Sequence, residues 1–287
     1  MLRGVRTGHV PSGLRERALV FFHFIFRLCA RAWELYANDR TENAGGVCGR
    51  QEFCRGGVGV HNRGNGMKVL IFGATGMVGQ GVLRECLQAA DVERVVTVGR
   101  TGTGVQDAKL REIVHRDLFH YAEIEGELSG FDACFFTLGV SSSGMTEVAY
   151  DHVTFTLTMT AAQTLSRLNP AMTFIYVSGA GTDSTESGRV MWARVKGRTE
   201  NELLRLPFKA YMFRPGMIQP LDGIRSKTTL YRVMYVLMTP LMTPLRRMFP
   251  KYVLSTREIG QAMLAVARHG YGKRILETWD LRGVVGG

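Results

Sequence analysis

The run Lys68-Val-Leu-Ile-Phe-Gly-Ala-Thr-Gly-Met-Val-Gly79 limits the folds open to this chain more than any other feature. Val69 to Phe72 are consecutive apolar residues, the pattern of a strand buried on both faces of a parallel sheet. Three glycines follow at once in the spacing Gly73-x-x-Gly76-x-x-Gly79, and Gln80 to Ala90 is patterned as a helix. Strand, glycine turn and helix together make a phosphate-binding entry. Gly73 permits the tight turn, Gly76 the approach of a pyrophosphate, and Gly79 close packing of helix on strand. The helix N-terminus presents N–H groups at Met77 and Val78, with Thr75 beside them, to the phosphates of a dinucleotide.

Such an entry normally opens its domain, yet 66 residues precede Met67 here. They hold ten arginines and no lysine, three of the five cysteines, and a glycine-rich end from Gly56 to Gly66. This break in composition makes Met67 the expected native start, with 1–66 a non-conforming leader and 67–287 the domain. The rival is a targeting peptide, because Arg3, Arg6, Arg15 and Arg17 precede the apolar run Ala18 to Phe26 and arginine richness suits a transit sequence. That run is shorter than the roughly 20 residues a bilayer requires. Either way the leader stands outside the fold.

From Met67 onward strand and helix patterns alternate. Strands are expected at Val95–Val98, Ile113–His115, Ala133–Leu138, Thr173–Val177 and Ala210–Phe213, and helices at Val148–Leu168, Val190–Leu206 and Glu258–His269. Asn169-Pro170 ends the first of these helices. Alternation of this kind specifies an α/β fold, a Rossmann-type doubly wound parallel sheet with a small C-terminal substrate-side lobe.

The net charge of +11 suggests nucleic acid until it is divided. The leader carries ten arginines against five acids, leaving the domain 26 basic and 20 acidic residues. No recognition helix or basic-aromatic pattern accompanies that modest excess, so no nucleic-acid partner is expected. Cys86 and Cys134 fall in a helix and an apolar strand, as buried small hydrophobes do, which points to a reducing, cytoplasmic location. Cys48, Cys54 and His61 match no standard zinc spacing, and no metal is expected.

The end of the second strand selects the cofactor. An acidic residue there would meet the ribose 2′-hydroxyl of NAD, whereas this chain reads Val98-Gly-Arg100. The planar fork of Arg100 suits a 2′-phosphate, so NADP(H) is expected rather than NAD(H).

Taken with His115-Arg-Asp-Leu118 and Phe213-Arg-Pro-Gly216, the glycine motif and Val-Gly-Arg resemble the atypical short-chain dehydrogenase/reductases, in their NAD(P)H-binding, epimerase-like group. The resemblance covers Met67 to the C-terminus and none of the leader. It implies that Asp117 and Leu118 border the adenine, that Leu138-Gly139-Val140 runs beside the nicotinamide half, and that Pro215-Gly216 closes over it. The family's chemistry uses a tyrosine hydroxyl to exchange a proton and a lysine one helical turn later to lower its pKa and hold the ribose. The matching run here is Trp192-Ala-Arg-Val-Lys196: the lysine is kept, but an indole replaces the phenol. In Tyr176-Val-Ser-Gly179 the family's catalytic hydroxyl falls on Gly179, with Ser178 one residue earlier. The candidate catalytic residues are therefore Lys196 and Ser178. Tyr150, Tyr176 and Ser141 to Ser143 lie near strand ends, where a substitute proton donor is to be sought.

After Gly216, Thr228 to Met238 is apolar, Pro240 and Pro244 follow, and Arg246, Arg247 and Lys251 come next. This stretch is expected to roof the pocket, with peripheral membrane or lipid contact through 228–251 as the sharper alternative. Two functional readings follow. The first is an NADP(H)-dependent oxidoreductase or epimerase-like enzyme acting on a small carbonyl or alcohol substrate. The second is a non-catalytic NADP(H)-binding regulator or redox sensor, which the lost tyrosine favours.

Overall fold

The computed structural model describes residues 66–221 and 253–286. Seven parallel strands form the central sheet in the order β3-β2-β1-β4-β5-β6-β9. They are β1 (Met67–Phe72), β2 (Val92–Gly99), β3 (Leu110–Val114), β4 (Ala133–Phe136), β5 (Thr173–Val177), β6 (Lys209–Arg214) and β9 (Ile275–Glu277). A separate parallel pair joins β7 (Met217–Gln219) to β8 (Val253–Ser255). The helices are α1 (Met77–Gln88), α2 (Glu147–Asp151), α3 (Leu157–Leu168), α4 (Met191–Leu204), α5 (Thr256–His269) and α6 (Thr278–Gly286).

Successive side chains of a strand point to opposite faces, and both faces of this sheet are covered. Leu70, Phe72, Cys134, Phe136, Phe174 and Tyr176 pack on one side with Ala162 and Leu165 of α3 and Leu203 of α4. Val69, Ile71, Ala133, Phe135 and Ile175 pack on the other with Val82, Leu83 and Cys86 of α1 and Ile259 and Met263 of α5. This is why the strands read as unbroken apolar runs. The two helices of the second face cross at glycines: a Cβ on Gly81 would lie 2.6 Å from Thr256 Cβ, and one on Gly260 would lie 2.8 Å from Glu85 Cγ. A capping box starts α5, with Ser255 accepting from the N–H of Glu258 and the Glu258 carboxylate accepting from that of Ser255.

The expected α/β doubly wound sheet is thus present, with different details at several ends. β4 stops at Phe136, and Thr137 beyond it donates its N–H and its hydroxyl to Phe72 O, at 2.9 and 2.7 Å. β3 ends at Val114, one residue before the expected His115, whose N–H donates to Gly99 O. The helix expected over 148–168 is interrupted by a widened π turn, His152–Thr156, between α2 and α3. That turn includes Val153, Thr154 and Thr156, β-branched residues that hold a regular helix poorly. Three-residue β9 and the β7/β8 pair carry too little pattern to be expected from sequence. The leader and the roof expected at 228–251 lie outside the described residues. Among the described residues no helix is long and apolar enough to cross a membrane.

Candidate active site

Strand order reverses between β1 and β4, whose ends pair at Phe72 and Phe136. Ligands of open α/β sheets bind beyond the strand ends at such a switch point. Two glycines of the turn there have a steric reason. Gly73 has φ +83°, and a Cβ on it would lie 2.7 Å from Leu138 N. A Cβ on Gly79 would sit 2.1 Å from Gly73 O, so α1 seats on the turn only without a side chain. Gly76 is the N-cap of α1 and provides no side-chain cap. The first N–H groups of α1, from Met77 and Val78, therefore face the crevice with the positive end of the helix dipole, and Thr75 borders them half-buried. These features fit a pyrophosphate.

The other expected cofactor contacts follow the C-terminal ends of β2, β3, β4 and β6. Arg100 stands exposed one residue past β2. Leu118 is buried at 4% exposure, while Asp117 is exposed and accepts from the Phe119 N–H and from His120 Nδ1. The His120 hydrogen bond holds the Asp117 carboxyl below the usual carboxylate range. Leu138 to Val140 leave β4 as an extended loop beside Gly73. Pro215 O accepts from the Ala180 N–H at 2.9 Å, and the Gly216 N–H donates to Thr278 Oγ1 at 2.8 Å, so the 215–216 turn is held from both sides.

Lys196 lies on α4 with its ammonium donating to the carbonyl of Ser178. Its residue surface is partly exposed, but the charged end is taken out of water, and this desolvation brings its pKa down to about 8 against a smaller opposing pull from Glu200. Trp192, one turn earlier, is half-buried, and its indole tip comes within 3.6 Å of where a Gly181 Cβ would be.

The candidate hydroxyls are differently placed from what their sequence positions suggest. Ser178 is 5% exposed, and its Oγ donates to Phe213 O at 3.1 Å, so it faces β6 and not the crevice. Tyr150 and Tyr176 are 2% and 1% exposed, hydrogen-bonded to Thr154 and Thr199, and burial pushes both phenols up. They belong to the core. Thr137 and Thr182 hydroxyls donate to Phe72 O and Gly179 O. Ser141 to Ser143 form an exposed turn in which Ser141 Oγ accepts from the Ser143 N–H.

One element of the site has no counterpart in the sequence reading. Arg214, in the Phe-Arg-Pro-Gly motif, is 9% exposed and holds Glu200, which is fully buried, through Nε at 3.1 Å to both oxygens and through Nη2. It also donates to Glu277 at 3.3 Å and to Ser184 at 2.6 Å. The cluster joins α4, β6, β9 and the segment after β5, the elements that position Lys196 and the 215–216 turn. The spacing Lys196-x-x-x-Glu200 was the available signal, since it puts both charges on one helix face.

Comparison with known proteins agrees with this geometry. Residues 69–186 match the family model described as NAD dependent epimerase/dehydratase family. Protein FMP52-2, mitochondrial, of Scheffersomyces stipitis is 26% identical over 152 residues, 52% of this chain and 65% of that protein. Protein FMP52, mitochondrial, of Debaryomyces hansenii is 26% identical over 157 residues, covering 53% of this chain and 67% of that one. The chain thus spans about two thirds of the length of these relatives. Among solved structures, the Bordetella bronchiseptica enzyme WbmF in complex with NAD+ superposes with TM-score 0.55 at 13% identity, over 77% of this chain and 79% of that one. An oxidoreductase of the short chain dehydrogenase/reductase family from Burkholderia thailandensis gives 0.54 at 17% identity, over 78% and 94%. The epimerase-like, short-chain dehydrogenase/reductase resemblance is borne out by the family model and by the fold. The expectation of a cytoplasmic protein is overturned, because the curated relatives carry a mitochondrial designation.

Proposed function

We propose that this chain, whose residues 69–186 carry the NAD dependent epimerase/dehydratase family domain, binds NADP(H) and is an oxidoreductase or epimerase-like enzyme on a small carbonyl or alcohol. The observation that carries the reading is the uncapped N-terminus of α1 at the switch point, with Arg100, and no carboxylate, just past the end of β2. The N–H groups of Met77 and Val78 hold the pyrophosphate, and Arg100 takes the 2′-phosphate. Leu138 to Val140 and the Pro215-Gly216 turn bound the nicotinamide half. When bound, the nicotinamide supplies or accepts a hydride. Lys196 donates to the ribose hydroxyls. Its ammonium, with a pKa near 8, also holds a proton that the neighbouring hydroxyls, already committed to carbonyls, do not offer. The relatives' names support a mitochondrial location for this chain, which fractionation of tagged protein tests.

The second reading, a non-catalytic NADP(H)-binding regulator, is favoured by Trp192 and by the inward Ser178 hydroxyl. Titration of the full chain with NADPH and NADH, repeated on Arg100→Ala, tests the shared part. We expect NADPH to bind more tightly and the substitution to weaken it roughly tenfold, as loss of a charge-assisted contact does. Absence of binding by either nucleotide sinks both readings. Oxidation of NADPH against a panel of aldehydes, ketones and quinones then separates them. A parent inert to the whole panel, but activated by Trp192→Tyr, selects the regulator.

A further inference from the structure

Four charges of alternating sign run from α4 to the edge strand of the sheet. Lys196 and Glu200 lie one turn apart on α4, Arg214 ends β6, and Glu277 ends β9. Arg214 Nε donates to both oxygens of Glu200 at 3.1 Å, and its Nη1 donates to Glu277 at 3.3 Å. Glu200 is fully buried and Arg214 is 9% exposed, so solvent ions screen the pair poorly. A second connection passes through the backbone. Lys196 donates to the carbonyl of Ser178, whose N–H and hydroxyl donate to Phe213 O at 2.9 and 3.1 Å. Phe213 precedes Arg214 in β6, and Pro215, which follows it, accepts from the Ala180 N–H. The path from the ammonium through Ser178, Phe213, Arg214 and Glu200 thus closes on the helix turn that bears Lys196.

Resting on the reading above that Lys196 donates to the cofactor ribose, we infer that Glu200 and Arg214 are positioning residues for Lys196, holding its ammonium at the Ser178 carbonyl and in register with the 215–216 turn. Their charges act on the ammonium with opposite sign. Glu200 favours the protonated amine, and Arg214, bonded to Glu200, offsets part of that pull. The other groups near this path are accounted for. Arg194 is committed to Glu147 and to Gly188 O, and Glu277 is engaged by the far side of the guanidinium. The phenols of Tyr150 and Tyr176 stay neutral, because burial pushes both up.

The chain has seven lysines, so their 13C-labelled ε-carbons give few NMR signals, and Lys196→Arg identifies that of Lys196. Titrating the full chain from about pH 7 to 10.5 then reads the Lys196 midpoint directly. In the parent it is expected at about 8. Glu200→Gln leaves the guanidinium without its counter-charge and is expected to lower the midpoint by about one pH unit, tenfold in proton affinity. Arg214→Gln frees the Glu200 charge and raises it by a similar amount, while the double variant returns it to within about half a unit of the parent. Arg214→Lys keeps the charge and leaves the midpoint near that of the parent. Should Arg214→Gln not fold, Glu200→Gln against Arg214→Lys still gives one shifted and one unshifted midpoint. A pair that merely pins α4 to β6 does not move the midpoint in opposite directions. NADPH affinity, measured over the same pH range, is expected to fall as Lys196 loses its proton, and the pH of that fall follows the NMR midpoint in each variant. Midpoints that stay put, or that move the same way in Glu200→Gln and Arg214→Gln, overturn the inference whether or not NADPH binds. Opposed midpoints with a parent NADPH affinity independent of pH overturn instead the assignment of Lys196 to the ribose, and the coupling of the three residues stands.

Discussion

Lys196 shows how much one side chain's setting alters its chemistry. Sequence marks it as the surviving half of a tyrosine–lysine pair; the fold takes its ammonium out of water and turns it to the Ser178 carbonyl. Burial lowers its pKa to about 8, below the ordinary lysine value of 10.5. The sign of the resulting pH dependence follows. Between these two values the unfolded chain keeps the proton that the folded chain has released, so folding stability rises with pH across that window. Below about pH 8 the folded state bears the full cost of enclosing the charge. Urea unfolding at pH 7.5 and pH 10 is expected to show a gain in the parent over Lys196→Met on the order of 2 kcal/mol. Equal pH dependence in the two proteins would mean that the ammonium is hydrated. Trp192 was legible in sequence only as a missing phenol. Its approach to Gly181 depends on how α4 lies across the segment after β5.

Among the elements, α4 and β6 are held together by charge as well as by apolar packing. Arg214 has its guanidinium on Glu200, Glu277 and Ser184, and Glu200 is wholly buried. Removing one member of such a cluster leaves a buried charge without its partner, which costs more than the intact pair contributes. Glu200→Ala is expected to destabilise the fold by about 3 to 5 kcal/mol, read from denaturant midpoints. Glu200→Gln, which keeps an acceptor, costs less, and the double change Glu200→Leu with Arg214→Met recovers much of the loss. A cost under about 1 kcal/mol for Glu200→Ala would show that water reaches the guanidinium. The helix broken at His152–Thr156 is an element-scale lesson too. There Arg198 stacks over Phe155 at 3.8 Å and reaches Asp151 at 3.1 Å, so α4 grips the π turn from outside. Sequence periodicity runs through 148–168 without registering that grip.

For the molecule as a whole, the sheet divides two cores that report on unfolding separately. Cys134 lies in one and Cys86 in the other, each fully buried, and burial pushes both thiols up. A thiol reacts as its thiolate, so neither is expected to be alkylated in the native protein. With iodoacetamide at pH 8 and peptide mass spectrometry, labelling of Cys86 and Cys134 should rise together across the urea transition. Labelling of one before the other would reveal that its face of the sheet opens alone.

Local pattern determined a good deal here. Val69 to Phe72 and the glycines dictate strand, turn and helix because a Cβ at Gly73 or Gly79 would strike neighbouring backbone. β5 was legible to the residue, since an apolar run between Asn169-Pro170 and a Ser-Gly turn has no other use in a buried sheet. Tertiary structure alone decided the fate of the hydroxyls and charges. Ser178 sits next to the family's catalytic position, yet its proton goes to Phe213, 35 residues away. Arg214 meets Glu277 across 63 residues, and Glu112 of β3 accepts from the Thr103 N–H beyond the end of β2. Periodicity records which side of an element faces the core. Hydrogen bonds and ion pairs depend on which atoms from distant elements come within about 3 Å, and that distance is set only when the sheet has assembled.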